Sequence, residues 1–361
     1  MTDFTADLVA LSLLPVSTWR DASAWLRAGD GPAAVLDRLS AHRLGFEPHE
    51  RASLTTRAEE TLARGRACGL VPVSWNDVSY PPPLSAIVDP PPVLWTRGWL
   101  DALALPAVAI VGSRAASPYA LEVAERLAAD LAVCGVAVVS GLARGVDGAA
   151  HRGAVSAGGS TIAVLGCGAD VIYPAEHGRL AHSIESRGVI ISELAPGAPP
   201  LPQFFPQRNR IISGLARAVV IVEAGEKSGS LITARCALEQ GRDVLAVPGN
   251  VLSGRNRGGH ALLRDGAKIV ETADDIFEEL GMPGKEAVPL FSDTERKRGT
   301  SPFRDPILEC LPAGDACDLD EIAERSGLPS ARLLPRLFEL ELRGDVARVG
   351  GGRFVRVDRS C

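Results

Sequence analysis

The residues best suited to chemistry lie in one segment, FFPQRNRIISGLARAVVIVEAGEKSGSLITA, which spans Phe204–Ala234. Within it, Arg208 and Arg210 flank Asn209 at the end of a predicted loop. The planar guanidinium group of arginine presents a fork of donors that matches phosphate oxygens. Two such groups on one loop could reach successive phosphates, and the alternative is a pair of solvated loop arginines. We interpret the segment as one half of a phosphate-binding cleft.

A second loop of the same segment follows the predicted buried strand Ala218–Val222. It leads to Gly229, Ser230 and Thr233, which stand at the start of the predicted helix Ser230–Gln240. The N–H groups at a helix N-terminus point outward and, together with the helix dipole, favour an anion there. This loop is therefore predicted to hold phosphate beside the two arginines.

Another candidate loop, Gly112-Ser113-Arg114, follows the predicted strand Val108–Val111. Glycine lets a ligand approach the backbone, and arginine supplies forked donors for phosphate. Arg114 stands where a GxGxxG fingerprint needs its second glycine, so the loop argues against a nicotinamide cofactor. Taken alone, it is also compatible with a plain turn between a strand and a helix.

The segment SGLARGVD, Ser140–Asp147, follows the next predicted strand and ends at a helix start. Its candidate binding residues are Ser140, Gly141, Arg144, Gly145 and Asp147. His151 comes four residues after Asp147, on the same helical face. An Asp–His pair could act as a general base, but no nucleophile stands at a telling spacing. We interpret the pair as a structural hydrogen bond.

The elements that must position these residues alternate between short apolar runs and helical patterns. The runs are apolar on both faces, which is typical of a parallel sheet covered by helices on both sides. They are Val108–Val111, Val136–Val139, Ile162–Leu165, Val189–Ile191, Ala218–Val222, Val244–Val247 and Lys268–Val270. The fold class predicted for residues 108–281 is therefore α/β. Ligands of such sheets bind beyond the carboxyl ends of the strands, where every candidate lies.

The regions before the sheet differ in composition. Residues 1–70 show apolar residues at helical spacing between glycine turns, which predicts a small helical module of the helix-hairpin-helix (SAM-like) type. Such a module could contact a DNA backbone or serve in packing against protein. Residues 71–107 are rich in proline and are predicted to form an extended connector. Its aromatic residues could stack bases or pin the connector onto the next domain; they are Trp75, Tyr80, Trp95 and Trp99.

The regions after the sheet are a polar linker, residues 282–302, and a small domain, residues 303–361. Three helices are predicted in the latter, at Pro306–Cys310, Leu319–Ser326 and Ser330–Arg343. A strand, the turn Gly350–Gly352 and a second strand, Arg353–Val357, complete a winged-helix pattern. Pro335 predicts a kink in the third helix or a later start.

Composition and charge bound the class of protein. The chain has 361 residues and a net charge of −6, which indicates a globular protein of two or three domains and, taken alone, argues against nucleic-acid binding. Residues 203–270 nevertheless hold ten Arg and Lys against five Asp and Glu, so basic charge is concentrated around the candidate loops. Seven cysteines without a CxxC motif predict buried, reduced thiols rather than a metal site or disulfides. With no signal sequence and no apolar run long enough for a membrane span, we expect a cytoplasmic protein without metal or cofactor.

These motifs, in this order, resemble those of the DNA-processing protein A family (DprA, also called Smf). They are VGSR (Val111–Arg114), SGLARGVD with His151, YP (Tyr173-Pro174), SE (Ser192-Glu193), FPQRNRIISGL (Phe205–Leu215), VEA (Val222–Ala224), SGSLITA (Ser228–Ala234) and VPG (Val247–Gly249). The helical N-terminal region, the connector and the winged-helix tail also resemble the longer members. The chain departs from the family at His177 and His260, where asparagine is usual.

The resemblance implies a cytoplasmic single-stranded DNA-binding protein that dimerises through a Rossmann-like domain. It would protect incoming strands during natural transformation and load the RecA recombinase on them. By motif match, the contacts to phosphate would come from Arg114, Arg144, Arg208 and Arg210, with Lys227 at the pocket rim. Phe205 would stack a base.

Two other functions stay open at this point. Related Rossmann-like folds hydrolyse nucleoside monophosphates with an arginine and a glutamate near a glycine-rich loop. Glu193 and Glu223 lie at strand ends and could be recruited, but the loop Gly225–Gly229 lacks a consecutive glycine run. The winged helix could instead bind duplex DNA. The basic residues of its third helix are offset by Glu339 and Glu341; they are Arg332, Arg336 and Arg343. We favour a non-enzymatic binder of single strands.

Overall fold

Two compact units make up the chain in the computed structural model, Met1–Glu286 and Ala287–Cys361. The structure describes residues 5–42, 45–282, 306–311, 317–326, 328, 330–343, 346–349 and 353–356. The predicted linker lies outside these ranges except for Met282, and the predicted turn Gly350–Gly352 also lies outside them.

Four helices open the first unit: α1 (Thr5–Ser12), α2 (Trp19–Arg27), α3 (Pro32–His42) and α4 (Pro48–Ala67). Their apolar faces form one buried core, which includes Leu8, Leu36 and Leu54. Trp95, from the predicted connector, is buried in the same core. The helical region predicted at the N-terminus is therefore confirmed, and it packs directly on the chain that follows.

A sheet of nine strands forms the centre of the first unit. The strands are β1 (Val71–Ser74), β2 (Val93–Gly98), β3 (Ala107–Val111), β4 (Ala137–Ser140), β5 (Thr161–Val164), β6 (Val189–Ser192), β7 (Ala218–Ile221), β8 (Asp243–Ala246) and β9 (Lys268–Ile269). Their spatial order is β1-β2-β6-β5-β4-β3-β7-β8-β9. The strands from β3 to β9 pair in parallel, whereas β1 and β2 add an antiparallel edge.

Helices cover both faces of the sheet. They are α5 (Pro82–Ser85), α6 (Pro118–Val133), α7 (Val146–Ser156), α8 (Gly178–Glu185), α9 (Phe204–Leu215), α10 (Ser230–Glu239), α11 (Arg257–Arg264) and α12 (Ala273–Glu279). Alternate residues of β3 enter different cores, because Val108 and Ile110 pack with α6 and α7 while Ala109 and Val111 pack with α9 and α10. This confirms the predicted α/β class and explains why the strands are apolar on both faces.

The proline-rich residues 71–107 are not simply an extended connector, and that prediction is wrong. They supply β1 and β2, and β2 pairs antiparallel with β6. Pro72 lies in β1, an edge strand, where the missing N–H costs no ladder hydrogen bond. Tyr80 and Trp95 are buried, so they act in packing, whereas Trp99 is partly exposed.

The predicted loop that ends in Arg208-Asn209-Arg210 is also wrong. Those three residues lie inside α9, which begins at Phe204. Pro206 stands in the first helical turn, where a proline is tolerated because the N–H it lacks would have no partner within the helix. The consequence is large, because residues two apart in a helix point about 200° apart.

The described residues of the second unit form three helices and an antiparallel pair of strands. The elements are α13 (Pro306–Cys310), α14 (Leu319–Ser326), α15 (Ser330–Arg343), β10 (Val346–Val349) and β11 (Arg353–Arg356). Leu333, Leu337 and Leu340 of α15 form a core with Phe354 of β11. The helix runs through Pro335, so its predicted bounds hold. The winged-helix prediction is confirmed.

Among the residues that the structure describes, no helix is long and apolar enough to cross a lipid bilayer. The six cysteines in these ranges are free thiols. Cys167 and Cys317 are buried, but Cys68 is exposed, so the prediction of buried thiols is wrong for Cys68.

His151, on α7, is fully buried, and its contacts differ from the predicted ones. Its Nδ1 lies 2.7 Å from Oγ1 of Thr161, whose hydroxyl donates to the Val138 carbonyl at 2.6 Å. Because that hydroxyl hydrogen is already used, Nδ1 of His151 carries the proton and donates. Asp147 accepts from the amide of Gly141 instead. The predicted Asp147–His151 hydrogen bond is therefore wrong, although His151 is structural.

We expect His151 to make the first unit less stable in mild acid. Burial lowers the pKa of His151 to about 3, and the positive charges of His177, Arg208 and Arg152 add to that effect. In the unfolded chain a histidine titrates near 6.5, so below that pH the unfolded state takes up a proton that the folded state refuses. The contribution of His151 to the free energy of unfolding is therefore complete above about pH 6.5 and is lost as the pH falls towards 3.

The loss from this one group should be of the order of 1 kcal/mol between about pH 7.5 and about pH 5.5. All five tryptophans lie in the first unit, so tryptophan fluorescence during urea unfolding reports that unit. A His151→Gln variant should lack this part of the pH dependence, whereas the matched control His182→Gln, at an exposed position, should keep it. Equal pH dependence in the two variants would contradict the prediction.

Candidate nucleic-acid interface

A cleft of about 770 Å³ opens at the carboxyl ends of the parallel strands. It lies between the loops that follow β3 and β7, where successive strands change from one side of β3 to the other. Open α/β sheets bind ligands at this switch point. The predicted site residues that line the cleft are Gly112, Ser113, Arg114, Asp147, Phe205, Arg208, Asn209, Lys227, Gly229, Ser230 and Thr233.

Two exposed cations give the cleft its positive charge. Arg114 rises from the loop after β3, and its guanidinium carbon lies 5.3 Å from the centroid of the Phe205 ring. Lys227 lies on the loop before α10. Neither side chain forms an ion pair within the part of the chain that the structure describes. Both charges are therefore available to an anionic ligand.

The polar side of the cleft ends at the N-terminus of α10. Asn209 donates from Nδ2 to the carbonyl of Gly229 at 3.2 Å, which ties α9 to this loop. The hydroxyl oxygens of Ser228 and Ser230 lie 2.8 Å apart at the helix start. Because the dipole of a ten-residue helix favours negative charge at its N-terminus, this loop suits a phosphate.

Arg208 forms the floor of the cleft and is buried. Its Nη1 donates to the carbonyls of Gly141 at 2.6 Å and Val164 at 2.5 Å, and its Nε donates to Asn209 at 3.0 Å. Its Nη2 lies 3.9 Å from the carboxylate of Asp147. Burial lowers the pKa of Arg208 and raises that of Asp147, while each charge opposes the shift of the other. Arg208 therefore braces the site, with most of its donors already used.

Two glycines let the surrounding loops approach one another. The guanidinium of Arg208 fills the space where a Cβ at Gly141 would stand, about 2.2 Å away. Gly145 has a positive φ of 74°, and a Cβ there would lie 2.2 Å from the carbonyl oxygen of Ser113. Larger residues would push the neighbouring loops apart. These glycines therefore shape the cleft without lining it.

The structure does not bring every predicted residue into the cleft. The residues outside its lining are Ser140, Gly141, Arg144, Gly145 and Arg210. Ser140 is buried and donates to the carbonyl of Ile110 at 2.6 Å. Arg144 is exposed beside the cleft, and its guanidinium is held by Glu176 in a two-pronged contact that raises the pKa of Arg144.

Arg210 points away from the cleft, on the opposite face of α9. Its Nη2 donates to Glu193 at 2.6 Å, and its Nε lies 3.1 Å from Asp89. The ring of Trp19, from α2, lies 5.5 Å from its guanidinium carbon. Removing this charge would leave Glu193 buried and uncompensated, which typically costs about 3–5 kcal/mol. The geometry therefore places Arg210 in a structural cluster rather than in the predicted row of phosphate contacts.

Apolar residues complete the lining of the cleft and are called the apolar wall below; of these, the sequence singled out only Phe205 and, within a motif, Tyr173. The residues of the wall are Tyr173, Pro200, Pro202, Pro206 and Ile232, together with Phe205. The rings of Tyr173 and Phe205 have centroids 5.6 Å apart and are tilted by 43°. The prolines before α9 have no periodicity and therefore predict only a loop.

The two glutamates considered for hydrolysis are engaged elsewhere. Glu223 accepts from the amide and hydroxyl of Ser117 at the start of α6, at 3.1 and 2.6 Å. Glu193 is buried with Arg210 and Gln207, and burial raises its pKa. Neither carboxylate lines the cleft.

The two histidines that depart from the family pattern make local contacts. A ring nitrogen of His177 lies 3.0 Å from the carbonyl of Leu142, and one of His260 lies 3.0 Å from the carbonyl of Gly249. Within the described ranges, no group of three or more His, Cys, Asp or Glu side chains is placed to hold a metal ion.

Comparisons with known proteins identify the family. Residues 72–281 match the family described as DNA recombination-mediator protein A, and residues 292–352 match the DprA winged helix domain. Protein Smf of Escherichia coli (strain K12) is 43% identical over 287 residues, which cover 78% of this chain and 76% of that protein.

Solved structures extend the likeness to the fold. DNA processing protein A (DprA) from Streptococcus pneumoniae matches with a TM-score of 0.68 at 37% identity, over 77% of this chain and 98% of that chain. DNA processing protein A from Helicobacter pylori, solved for its single-stranded DNA binding mode, matches with a TM-score of 0.53 at 30% identity, over 59% of this chain and 97% of that chain. The chain belongs to the DNA recombination-mediator protein A family, whose members are named DprA or Smf.

Proposed function

We propose that this protein binds single-stranded DNA in the cleft between the loops after β3 and β7. This proposal rests on the position of Arg114 and Lys227, which form no ion pair among the described residues, on the same cleft as the aromatic pair Tyr173 and Phe205. A single strand offers phosphates and exposed base faces side by side, and proteins hold it with basic grooves and stacking platforms. The cleft has both components.

The two sides of the cleft divide the work of binding. Phosphates would lie against Arg114, Lys227 and the N-terminus of α10, where the two cations and the positive end of the helix dipole lie on one cleft. Bases would lie on the apolar wall around Tyr173 and Phe205. Phosphate contacts carry no sequence information, and every base has a face that can stack. Binding should therefore be tolerant of sequence.

Membership in the family gives this protein a role in DNA processing, and we propose a finer role on that basis. It would protect incoming strands during natural transformation, load the RecA recombinase on them, and dimerise through its Rossmann-like domain in the cytoplasm. We propose that it acts without catalysis. This is supported by the engagement of Glu193 and Glu223 in structural contacts outside the cleft.

Removal of either free cation should weaken binding and flatten its dependence on salt. Each phosphate contact on a single strand contributes about −0.7 to the slope of log affinity against log salt concentration. Arg114→Ala and Lys227→Ala should each reduce the steepness by about that amount, for any oligonucleotide sequence. Fluorescence anisotropy with labelled oligothymidylate at several salt concentrations measures the slope.

Arg126→Ala, an exposed arginine of α6 outside the cleft, is the matched control and should leave the slope unchanged. Arg208→Ala is a poorer probe, because it strips the partners from two buried carbonyls and Asp147. If Arg114→Ala and Lys227→Ala both kept the wild-type slope, the cleft would not be the phosphate site.

Loss of an aromatic ring from the wall should weaken binding without changing the salt slope. Stacking on one aromatic side chain contributes about 1–3 kcal/mol per base. Tyr173→Leu and Phe205→Leu keep an apolar side chain but remove the stacking face. Tyr119→Leu is the control, because this tyrosine is also exposed but lies outside the cleft. A flattened slope, or equal affinity in all three variants, would argue against a base-binding wall.

Nucleotide hydrolysis offers a direct test of the non-catalytic proposal. Incubation of the protein with AMP should release no adenine, because no carboxylate other than that of Asp147 lines the described cleft and Asp147 is held by Arg208 and the Gly141 amide. Chromatographic detection of free base above a no-protein blank would show instead that the protein is a hydrolase.

A further inference from the structure

The helix α9 has two working faces. Arg208, Asn209 and Ile212 line the cleft. Arg210 and Gly214 lie on the other face, towards the N-terminal part of the chain. A helix is rigid over such a length, so a shift of one face moves the other with it. The contacts that fix Arg210 and Gly214 therefore also fix the positions of the cleft residues on α9.

The first set of contacts on α9 is the cluster around Arg210. Its guanidinium is buried among Glu193, Asp89 and the ring of Trp19. Trp19 belongs to α2 and is itself fixed by a hydrogen bond from its indole nitrogen to the carbonyl of Leu11 at 3.2 Å. The helix α2 thus contacts α9 directly through a desolvated cation–π pair, which is stronger than an exposed one.

The second set of contacts runs through residues 85–89, whose backbone carbonyls accept hydrogen bonds from side chains of α2. Arg27 donates to the carbonyls of Ser85 at 2.8 Å and Ile87 at 2.6 Å. Ser23 donates to the carbonyl of Val88 at 3.0 Å. Three backbone carbonyls within four residues therefore accept hydrogen bonds from side chains of one helix, and this fixes the path of the segment.

This segment and the preceding Leu84 pack on α9 in turn. A Cβ at Gly214 would lie 2.8 Å from Leu84 and 3.1 Å from Ile87, so these side chains sit against the bare backbone of the helix. Asp89, the end of the segment, lies at the Nε of Arg210. Two routes from α2 therefore converge on the face of α9 that is turned away from DNA.

We infer that α2 sets the position of α9 and thereby the affinity of the cleft for single-stranded DNA, with Arg27 and Arg210 as positioning residues that do not touch DNA. The inference rests on the proposed function. It gives the N-terminal helices a role in binding, although none of their residues lines the cleft. By linkage, a ligand that shifts α2 must change DNA affinity, and DNA must change the affinity for that ligand by the same factor.

The test removes the hydrogen bonds of Arg27, which is exposed and lies outside the cleft lining. Arg27→Ala should lower the affinity for oligothymidylate about five- to tenfold, the lower range of typical coupling between sites. The salt slope should stay at the wild-type value, because no phosphate contact is lost. Arg27→Lys, which keeps a donor for the carbonyls, should restore part of the affinity.

Arg20→Ala is the matched control, since Arg20 is an exposed arginine of the same helix and its loss changes the net charge equally. It should bind DNA as the wild type does. Hydrogen exchange of the amides from Arg208 to Gly214, measured without DNA, should be faster in Arg27→Ala than in Arg20→Ala. This second measurement does not depend on DNA binding.

The outcomes distinguish the coupling between α2 and α9 from the proposed binding of single-stranded DNA. Equal affinity and equal exchange in the two alanine variants would overturn the coupling. A flattened slope in Arg27→Ala would mean that Arg27 contacts DNA itself, which also contradicts a positioning role. If the wild type failed to bind single strands, the proposed function would fall, and the exchange of α9 would still decide whether α2 positions it.

Discussion

The buried guanidinium of Arg208 is the interaction on which the cleft depends. It joins the loop after β4, the end of β5 and the body of α9, at the edge of the sheet where the ligand loops converge. A buried carbonyl or carboxylate without a partner costs free energy of the order of 1–3 kcal/mol or more. Arg208 satisfies two such carbonyls and faces Asp147, so the floor of the cleft holds one arrangement. The missing side chain of Gly141 is what gives the guanidinium its place.

The local pairing of charges, rather than the net charge of the chain, determines the charge at the cleft. The chain is acidic overall, with a net charge of −6. Several carboxylates near the sheet edge are nevertheless matched to an arginine: Asp147 to Arg208, Glu193 to Arg210 and Glu176 to Arg144. What remains unmatched on the cleft, within the described residues, is positive. A local field of this kind can attract a polyanion although the whole molecule repels it.

Most of the parallel sheet could be predicted from the sequence because the strands from β3 to β7 are short, mainly apolar runs that alternate with helical patterns. The ligand loops followed from the same logic, since carboxyl ends of parallel strands share an edge. The strands β1 and β2 could not be predicted, because their pairing joins distant residues and Pro72 suggested a connector. Arg210 was misplaced for a different reason. Its direction depends on where α9 begins, and Pro206 concealed a start at Phe204. The partner of His151 was missed because Thr161 lies on a neighbouring strand rather than on the same helix.

The antiparallel pairing of β2 with β6 also bears on solubility. Without residues 71–98, β6 would present a free row of N–H and C=O groups at the edge of an apolar parallel sheet. Such an edge is a template for strands of other molecules and therefore an aggregation hazard. In the intact chain the outermost strand is β1, which is short and carries Pro72, and proline cannot donate to an incoming strand. The proline-rich stretch thus protects the edge of the sheet from pairing with strands of other molecules. The α/β core therefore depends on the part of the chain that precedes it.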